Sequence, residues 1–117
     1  MIATKIFLAV FTVLTSVFTA NAAIIDMFRD KNCKEYVGTR NVWDNTCAPT
    51  GEMGFESIRI TAKGGFNQII TAYAADNCAP TTDDLCTPAD NVGKCVRMCD
   101  STACHALSSY FAVGQCF

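Results

Sequence analysis

The cysteines constrain the fold of this chain more than any other feature of its sequence. There are eight of them: Cys33, Cys47, Cys78, Cys86, Cys95, Cys99, Cys104 and Cys116. An even number of cysteines in a short exported chain is typical of a disulfide framework. We therefore predict four disulfides, each stabilising the fold by about 2–4 kcal/mol. The pairing stays open, because eight cysteines allow many schemes.

The N-terminus predicts export. Lys5 precedes an apolar run from Ile6 to Phe18, and Ala20-Asn21-Ala22 is a small-x-small site of the kind that signal peptidase cleaves. As a helix this run is about 20 Å long, which is short of the roughly 30 Å of a bilayer core, so we favour a signal peptide over a membrane anchor. We expect residues 1–22 to be the signal peptide and 23–117 to be one secreted cysteine-rich β-domain.

Charge argues against two classes of partner. The chain has nine Lys and Arg, one of which (Lys5) leaves with the signal peptide, and eleven Asp and Glu, so the mature chain carries −3. Its basic residues are scattered singly, whereas nucleic acids and anionic membranes are bound by basic stripes. We expect no nucleic-acid partner, no membrane partner and a monomer.

Strand signals dominate the middle of the mature chain. Residues 57–61 and 68–73 alternate and are rich in β-branched side chains, so both are predicted strands. Gly64 and Gly65 lie between them and permit the positive φ angles of a reversal, which predicts an antiparallel hairpin. Further strands are predicted at 24–28 and 109–113.

Two stretches are less regular. Residues 79–92 contain two prolines and several acidic residues, which predicts a loop. Residues near 95–107 have few helix breakers, and a short helix there is one of two interpretations, with Asp100 or Ser101 as its N-cap. The fold class we expect is all-β, with at most this one helix. We assign four aromatic residues to its core: Phe28, Phe55, Phe66 and Phe111.

An internal repeat organises these elements. FRDKNC at residues 28–33 recurs as YAADNC at 73–78, and each copy is followed by Asn-Val, then Cys, then Ser and a strand. The later matches are Asn41-Val42 with Asn91-Val92, Cys47 with Cys95, and Ser57 with Ser109. We infer two copies of one four-strand unit, which pack together because neither can bury its apolar face alone.

Two four-strand units of this size resemble the Greek key pair of a βγ-crystallin domain. Phe28 and Tyr73 match the opening aromatic residues of that family, and Ser57-Ile58-Arg59-Ile60 matches its closing motif. The resemblance implies two Greek keys in one domain. The calcium site of the family needs oxygen ligands that neither copy supplies at Glu52-Met53 or Cys104-His105, so we expect no metal and no cofactor.

The chain also resembles the small cysteine-rich proteins that plant-pathogenic fungi secrete into the host apoplast. Leader, size, even cysteine count and acidic balance all match that class. The resemblance implies an effector, or virulence factor, that binds a host extracellular protein or cell-wall component and is open to recognition by host defence. Killer-toxin-like antimicrobial action and inhibition of a secreted hydrolase or protease are the alternatives.

Candidate binding residues come from two segments, 36–53 and 79–92. Tyr36 and Trp43 fit an exposed platform for sugars or a receptor, although Trp43 is favoured as a core residue. Asp83 and Asp84 make the second segment acidic, which fits a recognition loop or a weak cation contact, although solvated turn residues are favoured.

His105 is the only histidine. Cys95, Cys99 and Cys104 precede it at spacings that a zinc site would allow, but in an exported chain we favour oxidised thiols. As a general base, His105 would need a nucleophile and a carboxylate, for which Ser108, Ser109 and Asp100 are the nearest candidates. No nucleophile-elbow glycines frame either serine, and we expect no enzymatic activity.

Overall fold

The computed structural model describes residues 21–81, 84–99 and 102–111, and all regular structure in them is β-strand. The strands are β1 Ala22–Phe28, β2 Tyr36–Trp43, β3 Thr46–Pro49, β4 Ser57–Ala62, β5 Gln68–Tyr73, β6 Leu85–Pro88, β7 Cys95–Arg97 and β8 Ala106–Phe111. The all-β prediction is confirmed. Because these residues form no helix, none of them forms one that could cross a membrane.

The eight strands form two four-stranded sheets. Sheet A has the order β2-β1-β4-β7 and sheet B the order β3-β8-β5-β6. The first unit, β1 to β4, thus places three strands in sheet A and its third strand, β3, in sheet B. The second unit, β5 to β8, places three strands in sheet B and its third strand, β7, in sheet A. Two similar four-strand units are present, as the repeat predicted, and they exchange their third strands.

The pairing register defines which residues of the two units are equivalent. Phe28 lies opposite Ser57 in the first unit, and Tyr73 lies opposite Ala106 in the second. Cys95 on β7 faces Arg59, and Cys47 on β3 faces Ser108. Arg59 lies two residues after Ser57, and Ser108 lies two residues after Ala106. The cysteines that pair with them, Cys95 and Cys47, are therefore equivalent as well.

This register corrects part of the predicted repeat. The opening aromatic residues and the cysteines correspond as expected, but the closing serine does not. Ser57 is equivalent to Ala106, three residues before Ser109. Asn41 is likewise equivalent to Pro88, since they lie opposite Ile24 and Ile69, and it is therefore displaced from Asn91 by three residues.

Two disulfides fasten the exchanged strands. Cys33, in the β1–β2 connection of the first unit, is bonded to Cys95 on β7 of the second, and Cys78 of the second unit is bonded to Cys47 on β3 of the first. Both Cys33 and Cys78 have positive φ angles, of 57° and 59°. The repeated Asn-Cys pair therefore marks the point where each unit is locked to the strand that the other unit contributes.

The remaining cysteines fit the predicted framework as far as the structure describes them. Cys99 is bonded to Cys104, and Cys86 is also disulfide-bonded. Cys116 lies outside the described residues. A disulfide-stapled β-domain is thus confirmed for residues 21–81, 84–99 and 102–111.

The core lies between the inner faces of the two sheets. Its buried apolar side chains come from both sheets and from the connections after β3, β6 and β7: Ala23, Ile25, Met27, Val42, Ala48, Phe55, Ile58, Ile60, Ile70, Ala72, Ala89, Met98, Cys99, Cys104 and Leu107. Phe28 and Phe55 are buried as predicted. The same prediction is wrong for Phe66, which is 80% exposed in the β4–β5 connection, and for Phe111, which is about half exposed at the end of β8.

The predicted hairpin between 57–61 and 68–73 is wrong. Both strands exist, as β4 and β5, but they lie in different sheets and do not pair. The connection crosses between the sheets, and its positive φ angle falls at Asn67, not at the glycine pair. A β-carbon on Gly64 or Gly65 would collide with the Asp44 carboxylate, so close approach explains these glycines.

Two other local predictions need correction. Residues 79–92 are not a continuous loop, because Leu85–Pro88 pairs with β5 as strand β6. The helix near 95–107 is absent from the residues that the structure describes there, which form β7, a disulfide-closed loop and the start of β8. Its proposed N-caps Asp100 and Ser101, and residues 112–113 of the last predicted strand, lie outside the described residues.

Candidate functional site

A β-bulge in strand β2 places Tyr36 and Trp43 on the same face of sheet A. These residues are seven positions apart, so a regular strand, whose side chains alternate, would point them to opposite faces. Met27 lies opposite Gly38 but Phe28 lies opposite Tyr36, so Val37 is an extra residue in β2. The bulge inverts the alternation, and both aromatic side chains project away from the core.

Both aromatic residues are well exposed, Tyr36 to 59% and Trp43 to 50%. The prediction that Trp43 is a core residue is therefore wrong. Segment 36–53 is also more regular than a presenting loop, since it contains β2 and β3. The two residues stand at opposite ends of β2. Because Val37 is an extra residue, they span the six steps from Ala22 to Phe28 on β1, which at about 3.3 Å per residue separates their backbone positions by roughly 20 Å.

The side chains between them form a polar surface. We call it the outer face of sheet A and define it by the outward residues of β1, β2 and β4: Ile24, Asp26, Phe28, Tyr36, Thr39, Asn41, Trp43 and Arg59. In register, Trp43 lies opposite Ala22, Asn41 opposite Ile24, and Thr39 opposite Asp26. Arg59 flanks Asp26 on the other side.

Three side chains of the outer face are joined by hydrogen bonds. The Thr39 hydroxyl donates to Asp26 Oδ1 at 2.7 Å, and the Tyr36 and Thr39 hydroxyl oxygens are 2.6 Å apart. Because a hydroxyl has one proton, Thr39 has none left for Tyr36, so the Tyr36 O–H must donate to Thr39. The Tyr36 hydroxyl can then only accept from a ligand, and its ring orientation is fixed.

Aromatic contacts fix the part of the outer face around Phe28. The Tyr36 ring meets the Phe28 ring edge to face, with centroids 6.0 Å apart. The Arg59 guanidinium lies 5.5 Å from the Phe28 centroid on its other side. Among the described residues, Arg59 and Asp26 form no ion pair although they are cross-strand neighbours. The guanidinium donors therefore remain available to a ligand.

The β1–β2 connection closes the outer face at one end. The Ser57 hydroxyl, fully buried, donates to the Asp30 carbonyl oxygen and accepts from the Cys33 N–H. The Asp30 carboxylate accepts from the N–H groups of Asn32, Lys34 and Glu35. These bonds, that from Glu35 most strongly, lower the pKa of Asp30 below its ordinary value. The connection is thereby held rigidly beside Phe28.

The acidic candidate segment lies elsewhere. Asp84 stands before β6, whereas β2 packs against β3 and β8 at the opposite edge of the sandwich. Its carboxylate accepts from the N–H groups of Ala74 and Thr81 and from the Thr81 hydroxyl, so it organises its own loop. Asp83 lies outside the described residues. The structure therefore does not bring Asp84 together with Tyr36 and Trp43.

His105 lines a separate open cleft of about 370 Å³, together with Gly51, Glu52, Ala74 and Asp76. Its Nδ1 is 3.1 Å from the Gly51 carbonyl oxygen, which can only accept, so Nδ1 carries a proton. The two neighbouring serines are bonded elsewhere: Ser108 to the Tyr73 hydroxyl and Ser109 to Gln68. The described residues thus show no Ser–His pair.

The zinc interpretation is contradicted by the cysteines it requires. Cys95 is bonded to Cys33, and Cys99 to Cys104, so no thiolate of this set is left to bind a metal. Within residues 21–81, 84–99 and 102–111, no three His, Cys, Asp or Glu side chains lie close enough to hold a metal ion.

Sequence reasoning identified Tyr36 and Trp43 but not the residues between them. Asp26, Thr39 and Arg59 became candidates only through the register of β1 with β2 and β4. The bulge has only a weak sequence signal: Val37 and the buried Val42 are five positions apart, which breaks strict alternation along β2. Comparisons of the chain with protein-family models, with curated proteins and with solved structures found no match.

Proposed function

We propose that this protein is an extracellular, non-enzymatic binding protein whose outer face of sheet A contacts a host component. The setting that its resemblances suggest is the host apoplast, where a fungal effector binds a host protein or the cell wall. The fold serves this role as a scaffold. Disulfides that join the two units restrict unfolding, so the folded protein withstands dilution and proteolysis.

One observation carries the proposal. Two large aromatic side chains are exposed on one face, and a chain of hydrogen bonds fixes the polar groups next to one of them. Exposed side chains ordinarily move freely, so their fixation lowers the entropy cost of binding. Aromatic residues with a polar edge are also the residues enriched in recognition surfaces.

The experiment measures how much of the purified mature protein is retained by host cell-wall material and by the immobilised components of host extracellular fluid. We expect the wild type to be retained and Trp43→Ala and Tyr36→Ala to lose retention. Tyr110→Ala is the matched control, because Tyr110 is 47% exposed and lies on β8 of the other sheet. Circular dichroism and thermal melting check that each variant folds.

Two outcomes would reject the proposal. If the wild type is retained by neither fraction, the protein does not bind the partners we assign to it. If retention survives both aromatic substitutions, binding uses another surface. Inhibition of competing microbes, or of a secreted hydrolase or protease, without host binding would favour the antimicrobial or inhibitor alternative.

A further inference from the structure

We infer that the ligand of the outer face is a neutral polysaccharide, bound along strand β2. This inference rests on the proposed function, since it names the ligand class of the same site. It depends on three properties of the face: its charge, its hydrogen-bonding groups and the spacing of its aromatic rings.

The charge of the face favours an uncharged ligand. Asp26 and Arg59 are cross-strand neighbours of opposite sign at its centre, and the strand β2 residues that project there, Tyr36, Thr39, Asn41 and Trp43, are neutral. An anionic polymer would be repelled by the Asp26 carboxylate, and a cationic polymer would be repelled by the Arg59 guanidinium. Neither gains on strands β1, β2 and β4, because the electrostatic attraction at one group is offset at the other.

The hydrogen-bonding groups suit a ligand that both donates and accepts at short intervals. Asp26 and the Tyr36 hydroxyl can only accept, since the Tyr36 proton is given to Thr39. Arg59 can only donate, and the Asn41 amide does both. Sugar hydroxyls also do both, whereas the backbone groups of a folded protein partner are mostly paired within its own secondary structure.

The aromatic rings suit an extended ligand. The backbones of Trp43 and Tyr36 are about 20 Å apart along β2, a distance that one sugar ring cannot bridge. The apolar faces of sugar rings pack against aromatic rings, and between the two aromatics the ligand would pass over Asn41 and Thr39. Because β2 is the edge strand of sheet A, no further strand of that sheet borders the site on its outer side.

The experiment has two arms. In the first, the mature protein is incubated with insoluble cellulose, xylan, β-1,3-glucan and chitin, and with soluble polygalacturonate as the anionic comparison. In the second, calorimetry measures affinity for soluble oligosaccharides of increasing length from whichever polymer is bound. We expect retention by at least one neutral polymer, insensitivity to salt, and affinity that rises with oligosaccharide length.

The variants separate binding from folding. Trp43→Ala and Tyr36→Ala should each weaken affinity by about tenfold or more, the effect of losing a large aromatic contact, while Tyr110→Ala leaves affinity unchanged. Thr39→Val removes the hydroxyl that positions Tyr36 and should weaken binding as well. Thr39→Ser, which restores the hydroxyl, should rescue it. A merely structural role of Thr39 would instead lower the melting temperature without this rescue of affinity.

Failure of this inference differs from failure of the proposed function. If no neutral polysaccharide is bound but host extract still retains the protein through Trp43, the outer face is a binding site and the ligand class is wrong. Loss of that retention after protease treatment of the extract identifies a protein partner instead. Salt-sensitive binding to polygalacturonate alone would also overturn the inference, and no binding to any material rejects both proposals.

Discussion

The two units of this protein share a framework and differ in what they place on it. Each opens with an aromatic residue, Phe28 or Tyr73, and locks a strand of the other unit through a cysteine with positive φ. At the position of Ser57, however, the second unit has Ala106, and at that of Arg59 it has Ser108. Only the first unit carries the bulge that exposes two aromatic residues on one face.

The connections after the first strand differ in the same direction. In the first unit, the seven residues between β1 and β2 are held by the Asp30 carboxylate and the buried Ser57 hydroxyl. In the second, the connection from β5 to β6 is longer and is organised by Asp84. The two units thus share the disulfide positions that join them, whereas the polar contacts differ between the units.

The largest expected effect tests the shared framework. Replacing Cys33 and Cys95, or Cys47 and Cys78, by alanine pairs should each lower the free energy of unfolding by about 4 kcal/mol. The sequence separations are 62 and 31 residues. Because each doubling of a closed loop adds about 0.6 kcal/mol, the Cys33–Cys95 pair should cost slightly more. Guanidinium unfolding of both variants measures the difference.

The alanine pair at Cys99 and Cys104 serves as the reference for the bridges between units. Its separation is five residues, for which loop closure predicts about 2 kcal/mol. If this variant were the least stable of the three, the exchanged strands would not be the elements that the disulfides chiefly hold. The equivalence of the two units would then have no energetic meaning.

Ser57→Ala makes the first unit like the second at this position. It removes the partner of the Cys33 N–H and of the Asp30 carbonyl, and leaving buried polar groups unpaired costs about 1–3 kcal/mol. Thr61→Ala is the control on the same strand, because its exposed hydroxyl donates one bond to Ile24 and its loss should cost about 0.5 kcal/mol or less. Equal costs in urea unfolding would refute a special role of Ser57.

The sequence predicted the parts of the fold that depend on local pattern. Strands β1, β4 and β5 are runs of β-branched and apolar residues, β8 ends in two aromatic residues, and each was predicted within a few positions. Strands β6 and β7, with four and three residues, are too short to show a period. They are strands because they pair with β5 and β4, a long-range property that no local window contains.

The hairpin error has the same origin. Two good strands around a glycine pair favour a local turn, yet the strand exchange requires the chain to leave sheet A after β4 and enter sheet B at β5. The outer face of sheet A was only half predictable for a related reason. Its aromatic residues are visible in the sequence, but the extra residue Val37, which puts them on one face, is defined only by pairing with β1.

Tyr73→Phe tests the corresponding contact in the second unit by giving it the aromatic residue of the first. The substitution removes the 2.8 Å hydrogen bond to Ser108, whose side chain is fully buried, and should cost about 0.5–1.5 kcal/mol. Adding Ser108→Ala should recover part of that loss, since no unpaired hydroxyl then remains. Additive losses in the double variant would show that the two hydroxyls do not interact.

The smallest expected effect is the pH dependence contributed by Asp30, which has Ala75 as its counterpart in the second unit. Backbone N–H groups lower the pKa of the Asp30 carboxyl in the folded protein. An unfolded Asp has a pKa of about 3.9, so the stability from this group is fully present above that pH and is lost as pH falls through the lower, folded pKa.

Asp30→Asn keeps the shape of the side chain and removes its charge. Its deficit relative to wild type in thermal melts should therefore be constant from neutral pH down to about pH 5 and shrink under more acidic conditions. A deficit that stayed the same throughout would mean that shape alone, and not charge, holds the β1–β2 connection. The two units would then differ in their hydrogen bonds but not in their electrostatics.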